Sequence, residues 1–242
     1  MGKATQGMDF ICDIDGTLMN IDHRRHFVED SKEVKSLKEA LDNNLLEIEG
    51  DEWIFLTNKI KELSVKKDWK SFEDNIKYDT VNKQLNNLIR LIENIRWSKF
   101  EEETYDDVTE FDVGHFKNSV YYFSGRSEKL REITVVQILH ATFGEEYSVD
   151  KIFKLIKNEA TDLDENYKLW TRFYRQTSNQ LLLRADKDYR EDSIVKSEML
   201  DKLIENEMVN EDNLIIFDDR QSVVDMWRSR GLTCFQVAKG DF

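Results

Sequence analysis

The sequence predicts an α/β protein: a mostly parallel, Rossmann-like sheet with helices on both faces and a mainly helical insertion. Three observations predict it. Short apolar runs recur along the chain without polar alternation, as strands buried on both faces require, and helical patterns separate them. The chain has 242 residues, more than the roughly 150 of one typical domain and fewer than two would need. Finally, residues 18–118 separate the first apolar run from the second, far beyond an ordinary connection in such a fold.

The predicted strands are Asp9 to Cys12, Ser119 to Phe123, Gln180 to Leu183, Asn213 to Phe217 and Thr233 to Val237, each closing on polar or small residues. Leu130, Ile133, Val136 and His140 mark one helix, and Ile194, Leu200, Leu203 and Ile204 another. A third, Ser222 to Arg230, stops at Gly231, where a helix C-terminus favours glycine. Within 18–118, Val34, Leu37, Leu41 and Leu45 fall at helical spacing, as do Val81, Leu85, Leu88, Ile92 and Ile95. The expected organisation is therefore a core of residues 1–17 and 119–242 and an inserted helical cap of residues 18–118. Lys32 to Lys70 reads as a charged elaboration of that cap, and Glu101 to Asp107 as a solvated acidic loop.

Composition narrows the function. With 35 Lys+Arg against 49 Asp+Glu the net charge is −14, which argues against coating a nucleic-acid backbone with a broad basic face. Contact with a single strand end stays open. No apolar run approaches the roughly 18 residues of a membrane span, and the opening MGKATQG has no signal-like apolar stretch, so a cytoplasmic location is expected. Cys12 and Cys234 each lie in an apolar strand, the setting of a buried thiol, and take no functional role. The absence of proline is a compositional bias from which no function follows.

The chemistry sits at the strand ends. The run Phe10-Ile11-Cys12 leads into Asp13-Ile14-Asp15-Gly16-Thr17, and Ile215-Ile216-Phe217 into Asp218-Asp219-Arg220. A further strand ends at Ser124-Gly125-Arg126. In a parallel α/β sheet ligands bind beyond the carboxyl ends of the strands, so these groups converge on one crevice. Several carboxylates there repel one another until protons or a cation intervene, and an all-oxygen donor set suits Mg²⁺. Lys196, opening a helix with Asp192, offers a fixed positive charge. A carboxylate nucleophile, a second carboxyl group, a hydroxyl and a lysine are the parts of phosphoryl transfer through an aspartyl-phosphate. A lone Asp-x-Asp is usually an exposed turn; four such elements in order, each at a strand or helix edge, are not.

These four elements resemble the motifs of haloacid dehalogenase-type phosphatases. More narrowly, Leu181 to Arg184, Tyr189 to Lys196, Phe217 to Arg228 and Cys234 to Phe242 resemble the 3′-phosphatase domain of phage polynucleotide kinase-phosphatase. The resemblance implies Asp13 as nucleophile and Asp15 as the acid that protonates the leaving oxygen and then activates water. It implies Ser124 and Lys196 on the phosphoryl oxygens, Asp192 orienting Lys196, and Mg²⁺ held by Asp13, the main-chain carbonyl of Asp15, Asp218 and Asp219. It also implies Arg24, Arg126, Arg184 and Arg220 around the substrate. No GxxxxGK[ST] loop occurs, so 5′-kinase activity is not expected. His23 to His26 and Lys66 to Trp69 admit two readings, as holders of a nucleotide phosphate and base or as ordinary cap core and solvated lysines. The expected partner is a nucleic-acid 3′ end or a free nucleotide phosphate, and a catalytically silent binding module is the remaining alternative.

Overall fold

In a computed structural model the described residues are 7–43, 45–46, 48–92, 119–144, 147–157 and 167–240. Five strands form one sheet: β1 (Asp9–Asp13), β4 (Ser119–Ser127), β5 (Leu181–Arg184), β6 (Leu214–Arg220) and β7 (Thr233–Gly240). The order is β5-β4-β1-β6-β7, and every pairing is parallel. The first strand of the chain is therefore the middle of the sheet. Its register runs Asp9 opposite Ser119 and Leu214, up to Cys12 opposite Tyr122 and Phe217.

Burial follows from that position. Ile11, Tyr121, Phe123, Leu214 and Ile216 face a core shared with α9 (Asp192–Glu205) and α10 (Gln221–Ser229), closed by Trp227. The alternate positions Phe10, Cys12, Val120 and Tyr122 are buried as well, because a strand presents successive side chains to opposite faces and both are covered. α6 (Arg131–Phe143), α7 (Val149–Ile156) and α8 (Tyr167–Gln180) are further helices of this half, with Phe143, Trp170 and Phe173 packed ring against ring. α10 ends as expected at Gly231, with φ of +81°. The strands run further than the apolar pattern indicates: β4 extends to Ser127, β6 through its two acids to Arg220 and β7 to Gly240.

The described residues divide into two compact units, those of 7–20 with 80–240, and those of 21–79. In the first, a short antiparallel ribbon pairs β2 (Met19–Asn20) with β3 (Thr80–Val81) where the chain leaves and returns. Residues 83–92 are then helical (α5) and bury Leu85, Asn86, Ile89 and Ile92, while Leu88 is exposed. The amide of Asn86 donates to the Ala141 carbonyl at 2.8 Å, tying α5 to α6. Ile95 and the acidic run Glu101 to Asp107 lie outside the described residues.

The second unit contains α1 (Asp22–Arg25), α2 (Lys32–Asp42), α3 (Asp51–Leu63) and α4 (Trp69–Asp74). Ser31 caps α2 by accepting from Val34 N, and Asp68 caps α4 by accepting from Ser71 N. Val34 is buried as the periodicity predicts, but Leu45 falls beyond the helix and is exposed. Trp69 is 51% exposed, edge-on to Phe72 at 5.6 Å, so it lies at the surface of this unit. At the centre is an ion pair instead: Arg24, fully buried, donates from Nε and Nη2 to the two carboxylate oxygens of Asp79 at 2.6 and 2.8 Å and lies 4.1 Å over the Phe72 ring. Among the described residues no helix is long and apolar enough to cross a membrane.

An ion pair buried this completely costs several kcal/mol when one partner is lost, because the other charge is stranded. Arg24→Ala is therefore expected to destabilise the protein by about 3–5 kcal/mol, read as a lower denaturation midpoint. The double replacement Arg24→Met with Asp79→Leu is expected to recover most of that loss. An Arg24→Ala midpoint equal to wild type would refute the structural role.

Candidate active site

β1 delivers its carboxylate and then turns at once. Asp13 ends the strand, and Gly16, at φ +87°, lets the chain fold back so that Gly16 N reaches Met19 O at 2.8 Å and Met19 N reaches Ile14 O at 2.8 Å. A residue with a Cβ adopts that φ only under strain. The turn leaves the side chain of Thr17 buried, donating to Asp219 Oδ1 at 3.3 Å.

Asp218 and Asp219 are consecutive in β6, and a regular strand would aim them at opposite faces. The register of β6 against β7 shifts between Asp218 and Arg220. Such an irregularity re-aims side chains, and here Asp13, Asp218 and Asp219 each place a carboxylate oxygen within 4.8 Å of the others, all three buried. A second shift, between Ser124 and Ser127 on β4, accompanies the burial of both Ser124 and Arg126. Backbone approach matters at two glycines. A Cβ on Gly240 would run into the Asp219 carboxyl group, and one on Gly125 would come within 2.6 Å of Asp192 Oδ1.

Positive charge enters from α9. Asp192 and Lys196 are one helical turn apart, on the same face. The buried Lys196 ammonium donates to Asp13 Oδ1 at 2.5 Å and to Asp218 Oδ2 at 2.7 Å. Burial by itself would lower the Lys196 pKa, yet Asp13, Asp218 and Asp192 outweigh it and hold the ammonium charged. Asp13 moves the other way. Burial foremost, and the charges of Asp218 and Asp219, push its carboxyl well above the usual range, against the pull of Lys196. Asp192 is accepted into a cationic frame: Arg184 Nη2 donates to its Oδ1 and Arg220 Nη1 to its Oδ2. Burial raises the Asp192 pKa, but Arg220, Lys196 and Arg184 together keep it below the ordinary value.

The other candidates are distributed as follows. Asp15 is held by Arg126, whose Nε lies 3.1 and 3.0 Å from its two oxygens and whose Nη2 lies 2.6 Å from Oδ1. Ser124 Oγ accepts from Arg126 N at 3.2 Å. Arg184 also donates to the main-chain carbonyls of Gly125, Asp188 and Arg190. Arg24 belongs to the other unit, in its pair with Asp79. Cys12 donates to the Asp13 carbonyl, and burial pushes the Cys234 thiol up to about 12, so it stays protonated. All the candidates but Arg24 thus belong to one unit and fall into three contact groups: Asp13, Asp218 and Asp219 with Lys196; Asp192 with Arg184 and Arg220; and Arg126 with Asp15 and Ser124. Gly240, which Asp219 packs against, fell within the resembling stretch Cys234 to Phe242 but was given no role of its own. The polar partners of Arg126 on α6, Thr134 and Gln137, read only as scattered polar residues in a helix.

Three buried carboxylates against one ammonium leave a formal deficit of two positive charges, and the donors are all oxygen. That set fits a divalent cation of the Mg²⁺ type held by Asp13, Asp218 and Asp219.

Residues 154–242 match the family model described as "Polynucleotide kinase PNKP phosphatase domain". The chain is also similar to a chain in "Structure of the Pnkp1/Rnl/Hen1 RNA repair complex", at 19% identity and a TM-score of 0.43, over 100% of this chain and 46% of that one. It thus spans about half the length of the solved chain it matches.

Two outcomes are expected. Because the folded pKa of Asp13 is raised, the metal-free fold binds a proton that the unfolded chain has already lost above the ordinary carboxylate range, and its stability falls as pH rises through that window. Mg²⁺ held by these carboxylates would displace the proton, so the increase in Tm at fixed Mg²⁺ should grow as pH rises above the ordinary carboxylate range. A thermal shift independent of pH would contradict the assignment. Gly240→Ala, by displacing Asp219, should weaken Mg²⁺ binding in a calorimetric titration by about 10–100-fold. Unchanged affinity would show that this contact does not position the carboxylate.

Proposed function

We propose that the chain is a haloacid dehalogenase-type phosphatase related to the phosphatase domain of polynucleotide kinase PNKP, a Mg²⁺-dependent phosphomonoesterase that removes a 3′-phosphate from polynucleotide ends; the match over residues 154–242 supports this. One observation carries the reading: Asp13, at the end of the central strand, shares a buried cluster with Asp218 and Asp219 and contacts the Lys196 ammonium at 2.5 Å. The match over residues 154–242 supports the substrate class.

In this mechanism an oxygen of Asp13 attacks phosphorus, and the bond from phosphorus to the leaving oxygen breaks as that oxygen takes a proton from Asp15. An aspartyl-phosphate on Asp13 results. Asp15, now a carboxylate, takes a proton from water as the water oxygen bonds to phosphorus, and the bond to Asp13 breaks to release inorganic phosphate. Lys196 and Ser124 hold the phosphoryl oxygens. Asp192, itself fixed by Arg184 and Arg220, keeps Lys196 charged and aimed at Asp13. When bound, the cation would supply charge neutralisation and orientation of the phosphoryl group.

A nucleotidase reading has one observation in its favour, the net charge of −14, which suits a small phosphate better than a long polyanion. The two readings separate in one experiment. Phosphate release is measured, with Mg²⁺ and with chelator, from matched oligonucleotides bearing a 3′- or a 5′-phosphate and from 3′- and 5′-mononucleotides. Selective release from 3′ ends is expected, abolished by chelator. Asp13→Asn should lose about 10⁴-fold or more in kcat. Preferential hydrolysis of mononucleotides would replace the proposed substrate, and full turnover by Asp13→Asn would remove the mechanism.

A further inference from the structure

α6 is an apolar helix with two exceptions on its buried side. Val135, Val136, Ile138, Leu139 and Ala141 are buried in the ordinary way, and among them Thr134 and Gln137 are buried to the same degree. A buried amide or hydroxyl needs partners, and both residues find the same one. Gln137 Oε1 accepts from Arg126 Nη1 at 2.5 Å, and Thr134 Oγ1 accepts from that nitrogen at 3.2 Å. The Thr134 hydroxyl spends its one hydrogen on the Leu130 carbonyl at 2.8 Å, so only its lone pairs face Arg126.

A guanidinium is planar and presents its donors as a rigid fork. Fixing Nη1 against α6 therefore fixes where Nε and Nη2 point, and they point at Asp15. The chain of contacts from Gln137 and Thr134 through Arg126 to Asp15 lies within one unit of the protein, and the Arg126 side chain is buried along it. Thr134 and Gln137 are three residues apart on the helix, the spacing that places two side chains side by side.

We propose that Gln137, assisted by Thr134, is a positioning residue for the reaction: by anchoring Arg126 on α6 it holds the Asp15 carboxyl group where the leaving oxygen will be. The proposal rests on the reading of Asp15 as the acid. It assigns Arg126 to the enzyme's own carboxyl group, and it makes α6, which supplies no reacting group, part of the catalytic apparatus.

The leaving group tests it. A nucleoside alkoxide needs a proton as it departs, whereas 4-nitrophenolate leaves unaided, and kcat/KM reports only the steps up to the first irreversible one. Four proteins are compared on an oligonucleotide 3′-phosphate and on 4-nitrophenyl phosphate: wild type, Gln137→Leu, Gln137→Glu and Asp15→Asn. Gln137→Leu keeps the bulk and removes the acceptor. It should lose about 10–100-fold in kcat/KM on the oligonucleotide and less than about threefold on 4-nitrophenyl phosphate. Gln137→Glu, which restores an acceptor, should recover most of the loss. Equal losses on both substrates would mean that Gln137 is merely structural and would overturn the proposal, as would no loss on either. If circular dichroism shows Gln137→Leu unfolded, Thr134→Val decides by the same ratio, with a smaller expected effect. Asp15→Asn separates the levels: discrimination there without any in Gln137→Leu overturns the positioning role alone, and no discrimination in Asp15→Asn overturns the reading of Asp15 beneath it.

Discussion

Three carboxylates, Asp13, Asp218 and Asp219, are buried within 4.8 Å of one another against a single ammonium. No protein interior is comfortable with that, since uncompensated charge in a low-dielectric interior costs several kcal/mol per ion. Much of the surrounding construction is a response to it. Lys196 bridges two of the three acids, Thr17 donates to the third, and the Asp13 carboxyl is pushed toward its protonated form. A proton or a cation would each relieve the repulsion among the carboxylates. That tension is inseparable from the fold, because β1 and β6 are hydrogen-bonded neighbours at the centre of the sheet.

The sheet alone would not produce the cluster. Regular strands send neighbouring residues to opposite faces, so a pair such as Asp218-Asp219 ordinarily serves two surfaces. The shifts of register at Asp218/Arg220 and at Ser124/Ser127 break that rule at the two strands that flank β1, and Gly240 and Gly125 supply the space. Irregularity is concentrated where chemistry needs several groups from few strands. The apolar amino-terminal stretches of the same strands are regular.

This division explains what the sequence disclosed. Phe10 to Asp13 and Leu214 to Asp219 announce themselves because burial on both faces demands uninterrupted apolar residues, and an acid directly after them has no reason of packing to be there. The sheet, its parallel sense and the Asp13, Lys196, Asp218 and Asp219 grouping were legible on those grounds. Strand ends were not, because β4, β6 and β7 continue through polar residues that look like loops. Pairings across long separations were equally invisible. Nothing local marks Arg24 as the partner of Asp79, 55 residues on, and an arginine beside other basic residues reads as a ligand for phosphate. Gln137 was missed for the opposite reason, since a glutamine in a helix is unremarkable until its burial is known. Helix periodicity failed at Leu88, where spacing alone does not say which side of a wide apolar stripe is covered, and at Leu45, which lies past the end of α2.

The arginines bear on the chemistry as a group. Arg24, Arg126, Arg184 and Arg220 would all pass, from sequence, for cations awaiting an anionic substrate. In the folded chain each already touches an acid of the protein itself: Asp79, Asp15 and, for the last two, Asp192. A guanidinium so engaged gives a phosphate dianion less than a full charge, because its field is largely answered at contact distance. Lys196 is in the same condition, with two carboxylates on one ammonium. The charge needed to bring a phosphate monoester against the Asp13 carboxylate therefore cannot come from these side chains as they stand. On the proposed function it would arrive with a cation, which the three aspartates have the oxygen donors to hold. The proposed dependence on a divalent metal would then follow from how thoroughly the protein has paired its own positive groups, with the arginines fixing carboxyl groups in place.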